Sequence, residues 1–431
     1  MFDVKRVPIN KDNISVTRDI YKCISCGTCK SVCKYSSCVY EKYEIKKEPV
    51  CINCGQCILV CPTNSLHEVY DYIKLKTQMK QKNKVFVFQT APAVRVALGE
   101  EFGLDAGFFV EGKMIKALRI LGADYVFDTT FGADLTVLEE ASELLERVKN
   151  NKLPLFTSCC PAWVKYVELF KPELIPNLST TKSPIGMQGA IIKDCFCSIN
   201  NIKKENIVSI ALTPCTAKKE EIKRNNDIDY VITTRELAIW LKEENIDLTT
   251  LDDSSYDSIM NKGSGAGLIF GVTGGVSEAI LRTLNYIVTG KNKEEFLDFK
   301  PVRGLNGIKE ASFTLLGKPF KIASVSQIKN VRKLFDKLDE YAFIEVMACR
   351  GGCIAGGGQP KTTIPLDDDI RLKRIDSLYN NDSTLKTRYS YENVDVIKLY
   401  KNYLEYPMSS KAKKLLHTEF KDESYKINSN L

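Results

Sequence analysis

Sixteen cysteines in a chain of 431 residues are the side chains best equipped for chemistry, and they are not evenly spread. Cys23, Cys26, Cys29 and Cys33 follow C-x2-C-x2-C-x3-C, and Cys51, Cys54, Cys57 and Cys61 repeat the pattern with Pro62 directly behind. That spacing belongs to paired four-iron, four-sulfur clusters, in which the fourth cysteine of each run ligates the other run's cluster. The crossed ligand sets are then Cys23, Cys26, Cys29 and Cys61 for one cluster, and Cys51, Cys54, Cys57 and Cys33 for the other. Thiolates are soft donors that suit iron and sulfide. Two zinc knuckles or a disulfide framework compete with this reading, and eight cysteines at a repeated spacing favour the clusters. Ser25, Gly27 and Gly55 between the ligands are small enough to let backbone amides turn toward sulfur and tune the potential. Lys34 stands where the first run would often have proline, and Cys38 is left over as a plain thiol.

A second set of cysteines is scattered along the rest of the chain. Cys349 and Cys353 lie four apart after the apolar run Phe343 to Met347, with Gly356, Gly357 and Gly358 close behind; the pair reads as a metal cradle and the glycines as backbone pressed against something bulky. Cys159 and Cys160 follow Phe156, and Cys215 follows Leu212. The elements that must position them are short apolar runs at 85–88, 125–127, 154–156, 207–212, 231–232, 267–270 and 343–347, alternating with helix-like segments, a pattern that argues α/β. Ligands in such folds sit beyond the carboxyl ends of strands, so three loops meet at one site. Residues 69–84 read as a polar helix between two domains. Residues 370–431 read as a helical outer wrap, with an apolar face from Val396 to Tyr406.

Composition excludes several functions. At 44% hydrophobic and 27% charged, the chain is an ordinary globular protein of two or three domains. Its net charge of +7 comes from dispersed lysines, which suits an acidic protein partner and not a nucleic-acid groove. No apolar run is long enough to span a bilayer and the start carries no signal core, so a cytoplasmic protein with no membrane partner is expected. In a reducing compartment, sixteen cysteines argue for metal or redox chemistry over disulfides. His67 and His417 are the only histidines, which speaks against a histidine base.

Thr157 to Trp163, Leu212 to Glu221 and Glu345 to Pro360 together resemble the three signature segments of the iron-iron (FeFe) hydrogenases. Thr90 to Arg95, Leu135 to Glu140, Val231 to Glu236, Gly271 to Gly275 and Val302 to Gly307 are similar to that family in the same order, so the likeness covers nearly the whole chain. It implies an α/β catalytic domain with the active-site H-cluster buried between two lobes, preceded by a small α+β ferredoxin-like domain with two 4Fe–4S clusters. The implied boundaries are 1–80 for the head, 81–365 for the catalytic lobes and 366–431 for a helical wrap like the family's small subunit.

The resemblance also assigns roles. Cys160, Cys215, Cys349 and Cys353 would hold the four-iron part of the H-cluster, with Cys353 bridging to a di-iron azadithiolate unit bearing carbon monoxide and cyanide. Lys218, which taken alone is a surface lysine, would donate to a cyanide. Ala91, Pro92, Ala93, Ile185, Thr213, Pro214 and Met347 would line the same pocket. Cys159 would exchange protons with the azadithiolate amine through a path running Glu140, Ser179, Glu143 and surface. Taken alone, the two glutamates are a solvated face of a helix. The implied activity is reversible interconversion of protons, electrons and H2, linked to a ferredoxin or flavodoxin, with maturation proteins delivering the di-iron unit. A low-turnover hydrogen sensor and a hydrogenase-like iron–sulfur assembly protein are the alternatives. Thr213, Ile185 and Ser277 depart from the family's usual methionine, glutamine and methionine. All three are expected to line the cofactor and to shift the balance between H2 evolution and uptake.

Overall fold

The structure is a computed structural model that describes residues 5–41, 44, 45, 48–258, 260 and 262–428. In the N-terminal head, strand β1 (Val16–Arg18) pairs antiparallel with β3 (Leu66–Glu68), while the two-residue β2 (Glu44–Ile45) pairs with β12 (Ile427–Asn428) from the far end of the chain. The cysteine repeat is visible in the backbone. Helices Thr28–Tyr35 and Gln56–Leu59 are each preceded by a glycine in the left-handed region, Gly27 (φ 85°) and Gly55 (φ 67°). Ser25 and Asn53, two residues earlier in each run, are also left-handed. These turns, which side chains with a β-carbon disfavour, wrap the chain around a centre.

Two four-stranded sheets build the catalytic part. The first has the order β5 (Tyr125–Asp128), β4 (Val85–Thr90), β7 (Ile207–Thr213), β8 (Tyr230–Thr233), all parallel. The second runs β6 (Leu155–Phe156), β11 (Phe343–Met347), β10 (Lys318–Ser326), β9 (Ile308–Leu315), parallel except for the β9–β10 hairpin. Strands β4, β7 and β11 are buried along almost their whole length, as expected of parallel strands covered on both faces. The loops after β4, β6, β7 and β11 carry Ala91, Cys160, Cys215 and Cys349, so the ends of both sheets converge on the same cysteines.

Three expectations need correction. The linker at 69–84 contains only the short helix Tyr72–Gln78, which buries Tyr72 and Leu75 and so is half apolar. The run 267–270 is helical, as part of Gly265–Leu268 and the turn Ile269–Gly271. Its glycines serve close packing: a β-carbon on Gly267 would meet the Thr130 carbonyl of the long helix Thr129–Lys149. The C-terminal stretch does form helices (Asp368–Thr384, Val394–Leu399, Ser410–Leu416), with Val396, Leu399, Tyr400 and Leu404 buried. It is knitted in and not only wrapped around. Arg374 is fully buried and forks onto Glu100 with two 2.7 Å hydrogen bonds.

Candidate active site

The eight head cysteines line two separate cavities, four thiols to each, in the crossed sets. Cys23, Cys26, Cys29 and Cys61 face the outer one, and Cys33, Cys51, Cys54 and Cys57 the inner one. Backbone amides do point at sulfur: Val7 N–H at Cys29 (3.4 Å), Asn53 N–H at Cys51 (3.2 Å) and Leu66 N–H at Cys61 (3.5 Å). The settings differ. In the outer cage, the amide of Ser25 lowers the pKa of Cys23, and the Thr28 hydroxyl and amide lower that of Cys26. In the inner cage, burial and neighbouring thiols push Cys33 and Cys57 up, and burial above all lifts Cys51 to about 12. Four crowded thiols that resist losing protons in water-free surroundings are stabilised as thiolates only by a compensating cationic core, which an iron–sulfur cluster is.

The inner cage is pressed directly on the catalytic loops. A β-carbon on Gly55 would stand 2.8 Å from Gly357 Cα, and Thr216 Oγ1 donates to the Asn53 carbonyl at 2.7 Å. Gln56 Nε2 donates to Cys349 Sγ at 3.2 Å and to the Ala355 carbonyl at 3.1 Å. The triple glycine explains the closeness. Gly356, Gly357 and Gly358 leave no room for a β-carbon against Pro214, Cys54 and Thr233. Their role is thus the seam between protein loops, where the sequence suggested contact with a cofactor.

Cys160 caps the helix Pro161–Phe170 after β6, Cys215 follows β7, and Cys349 and Cys353 follow β11. Burial raises all four pKa values, and the thiols add to one another's shifts: Cys160 and Cys353 act on Cys215, and Cys215, Cys160, Cys54 and Cys353 act on Cys349. The Ala348 N–H points at Cys160 Sγ at 3.4 Å. Four thiols on three loops therefore crowd one spot, next to the inner cage.

Beside them lies an apolar cavity of about 70 Å³. Ala91, Pro92, Ala93, Ile185, Thr213, Pro214, Met347, Cys159, Cys215, Cys353 and Lys218 all line it, as expected, and Thr129, Ala133, Pro184, Phe270 and Gly271 join them. Those five sit on helices, whose inward faces the strand-end argument overlooked. Ser277 does not line it; its hydroxyl is bound to Ser324 Oγ at 2.7 Å and its amide to Glu345 at 2.8 Å. Lys218 is buried, no surface residue: Nζ donates to the Cys159 carbonyl at 3.1 Å and pairs with Glu221 at 2.6 Å. Burial is the strongest single influence and opposes its charge, but Glu221, Cys215 and Cys159 together raise its pKa. An ammonium has three N–H donors, so one remains for the cavity.

Glu140 and Glu143 are buried as well, which the solvated-face reading did not anticipate. Both carboxyl oxygens of Glu140 lack a hydrogen-bond partner, and burial, with Glu143 adding, lifts its pKa to about 8, so it is a neutral acid at pH 7. Burial pushes the Cys159 thiol up, and the neighbouring Glu140 carboxyl raises it further. Ser179 Oγ donates to Glu143 Oε2 at 3.0 Å, and Arg147 grips Glu143 Oε1 through Nε (3.0 Å) and a terminal nitrogen (2.9 Å).

Comparison with known proteins agrees with this geometry. The family model described as "Iron only hydrogenase large subunit, C-terminal domain" matches residues 84–357, that of "Iron hydrogenase small subunit" matches 368–423, and that of "4Fe-4S binding domain" matches 48–67. The chain is 40% identical to "Iron hydrogenase 1" of Clostridium pasteurianum, over 96% of this chain and 77% of that protein. It superposes on "[FeFe]-hydrogenase HydA1 from Chlamydomonas reinhardtii, variant E141A" with a TM-score of 0.71 and 35% identity, over 82% of this chain and 99% of that one. It is also 31% identical to "Cytosolic Fe-S cluster assembly factor narfl" of Xenopus tropicalis, over 85% of this chain and 80% of that protein.

Proposed function

The chain belongs to the iron-only (FeFe) hydrogenase family, and from that premise we propose a ferredoxin-linked enzyme that interconverts protons, electrons and H2 reversibly. Its cofactors are 4Fe–4S clusters and the family's H-cluster, and its substrates are H2 and protons. The observation that carries the proposal is the meeting of four thiols from three loops with an apolar cavity into which a charged lysine reaches. In this reading Cys160, Cys215, Cys349 and Cys353 would hold the H-cluster, and of these Cys215 and Cys353 line the cavity. When bound, the H-cluster supplies the redox-active iron at which H2 is made and split.

The protein's own residues do the rest. The cavity's apolar walls disfavour water, and Lys218 Nζ keeps one donor for an anionic ligand. For an outward proton, Glu140 gives its own hydrogen to Ser179 Oγ while that hydroxyl's hydrogen passes to Glu143 Oε2, and the Cys159 thiol then reprotonates Glu140. Glu140 makes no direct hydrogen bond to Ser179, whose hydroxyl is nonetheless close enough to lower its pKa, so a small side-chain rotation or one water molecule completes the step. Residues 1–80 form the electron-transfer head, 81–365 the catalytic lobes and 366–431 the small-subunit-like segment. Electrons arrive at the outer cage, where Ile20, Tyr21 and Ile24 stand exposed, Arg6 and Arg18 line the cavity, Lys5 packs on Gly27 and Lys22 lies beside Asp19. That surface fits an acidic carrier such as a ferredoxin or flavodoxin. The setting is cytoplasmic, in keeping with sixteen unpaired thiols, and maturation proteins insert the di-iron unit. Among the described residues no helix is long and apolar enough to cross a membrane.

Thr213 turns its hydroxyl to its own loop, accepting from Cys215 N–H at 2.9 Å, and Ile185 brings no polar group to the cavity. Two donors or soft contacts to the cofactor are thereby lost, and we infer a bias toward H2 uptake; protein-film voltammetry with a larger evolution than oxidation current would refute it.

Infrared spectroscopy of the matured protein tests the whole reading. Cyanide and carbonyl stretching bands are expected. Their absence would favour the assembly-factor reading that the 31% identical relative supports. In Cys159→Ala the bands should persist while turnover falls by at least about a hundredfold, the scale of a lost proton-transfer group. Unimpaired turnover in that variant would mean that protons take another route.

A further inference from the structure

The outer end of the relay is where the geometry is richest. Glu143 Oε1 is held by Arg147, whose guanidinium cannot take up a proton, so traffic must pass Oε2. Oε2 accepts from Ser179 Oγ on the inner side (3.0 Å), and from Thr180 N–H (3.1 Å) and Thr180 Oγ1 (3.4 Å) on the outer side. Thr180 is exposed, and its hydroxyl lies 2.7 Å from Nδ1 of His417.

His417 comes from the far end of the chain and is set there by backbone. It bridges Thr181 in antiparallel fashion, with Lys182 N–H donating to the Leu416 carbonyl and Thr418 N–H to the Thr180 carbonyl, both at 2.8 Å. Its other ring nitrogen, Nε2, is 3.1 Å from Glu139 Oε2. Glu139 is fully buried and accepts from the Tyr400 hydroxyl (2.6 Å) and the Met408 N–H (2.8 Å). A carboxylate collecting donors fixes the proton on Nε2, which leaves Nδ1 as the nitrogen that gains and loses one.

We infer that His417 is the group through which protons join and leave the relay, handing them to Glu143 through the Thr180 hydroxyl. The inference rests on the relay read above. For an inward proton, Nδ1–H gives its hydrogen to Thr180 Oγ1 while that hydroxyl's own hydrogen passes to Glu143 Oε2. The imidazole is left neutral, with Nε2–H still on Glu139. Outward transfer reverses each step. The charged and titratable groups around the ring are Glu139, Glu143 and Arg147 on the long helix, Tyr400, and Lys413, whose ammonium is 3.9 Å from Glu146.

The test uses the matured enzyme with Thr180→Val, His417→Ala and, as reference, Glu143→Gln. Thr180→Val and His417→Ala should each slow turnover about tenfold or more in weakly buffered solution, with the infrared bands unchanged. Added imidazole should restore His417→Ala and leave Thr180→Val slow. Wild-type turnover and pH profile in Thr180→Val, or no imidazole rescue of a folded His417→Ala, overturns the inference while a slow Glu143→Gln keeps the relay. If Glu143→Gln is also unimpaired, the relay and this inference fall together. Should His417→Ala not fold, Thr180→Val decides.

Discussion

The two cysteine cages of the head repeat one sequence pattern and sit in opposite surroundings. In the outer cage Cys26 is exposed, the pKa values of Cys23 and Cys26 are drawn down by nearby amides and the Thr28 hydroxyl, and apolar side chains stand open to solvent around it. In the inner cage Cys54 is buried, thiol pKa values are driven up by burial, and the neighbours are the loops of Cys215 and Cys349. Spacing sets what a cage can hold, and packing sets what it is for. On the function proposed, the outer cage would meet a partner and the inner one would pass electrons on to the buried site.

Breaking the inner cage should have the largest effect. Cys54→Ser removes a ligand with no solvent route around it, so turnover driven by a reduced protein carrier should fall well beyond the roughly hundredfold loss typical of altered metal surroundings. Infrared bands of the H-cluster should remain. Carrier-driven turnover near wild type would mean that electrons bypass the inner cage. The equivalent change outside, Cys26→Ser, should cost about tenfold with a protein carrier and much less with a small viologen dye, which can approach other surfaces. Equal losses with both donors would erase the distinction between the cages.

The same contrast marks how far the sequence could be read. The crossed sets follow from the spacing, in which the fourth cysteine of each run joins the other run's three, and each of the two cavities gathers one such set of four. The α/β frame was legible from the apolar strands, since buried parallel strands read as continuous apolar runs. The β9–β10 hairpin was not: Ile308–Leu315 alternates between buried and exposed positions, and Lys318–Ser326 mixes lysines and serines among its apolar residues although its second half is buried, so no apolar run marks either strand. Position 267–270 misled for the opposite reason, since an apolar run beside glycines fits a tightly packed helix as well as a strand. In the site, cysteines and the pocket wall were legible, whereas burial of Glu140, Glu143 and Lys218 was not, because local composition around them is polar. His417 stayed hidden because its neighbours, Glu139 and Thr180, are hundreds of residues away in sequence.

The finest probe of the comparison is Gln56, which has no counterpart in the outer run, where Thr28 follows Gly27 as Gln56 follows Gly55. Its amide spans the seam, donating to Cys349 Sγ and to the Ala355 carbonyl. A hydrogen bond to a ligand sulfur withdraws electron density and raises the potential of the cluster that sulfur holds. Gln56→Leu keeps the side chain's bulk and removes both donors, leaving the Ala355 carbonyl without this partner. The four-iron part of the H-cluster should then become harder to reduce, and carrier-driven H2 evolution should slow by about tenfold or less. Thr28→Val, the matched change outside, removes the hydroxyl beside Cys26 at 3.3 Å and should leave the H-cluster potential where it was. Redox titration followed by infrared bands reads the difference directly. A shift in Thr28→Val as large as in Gln56→Leu would show that the seam confers no special coupling on the inner cage.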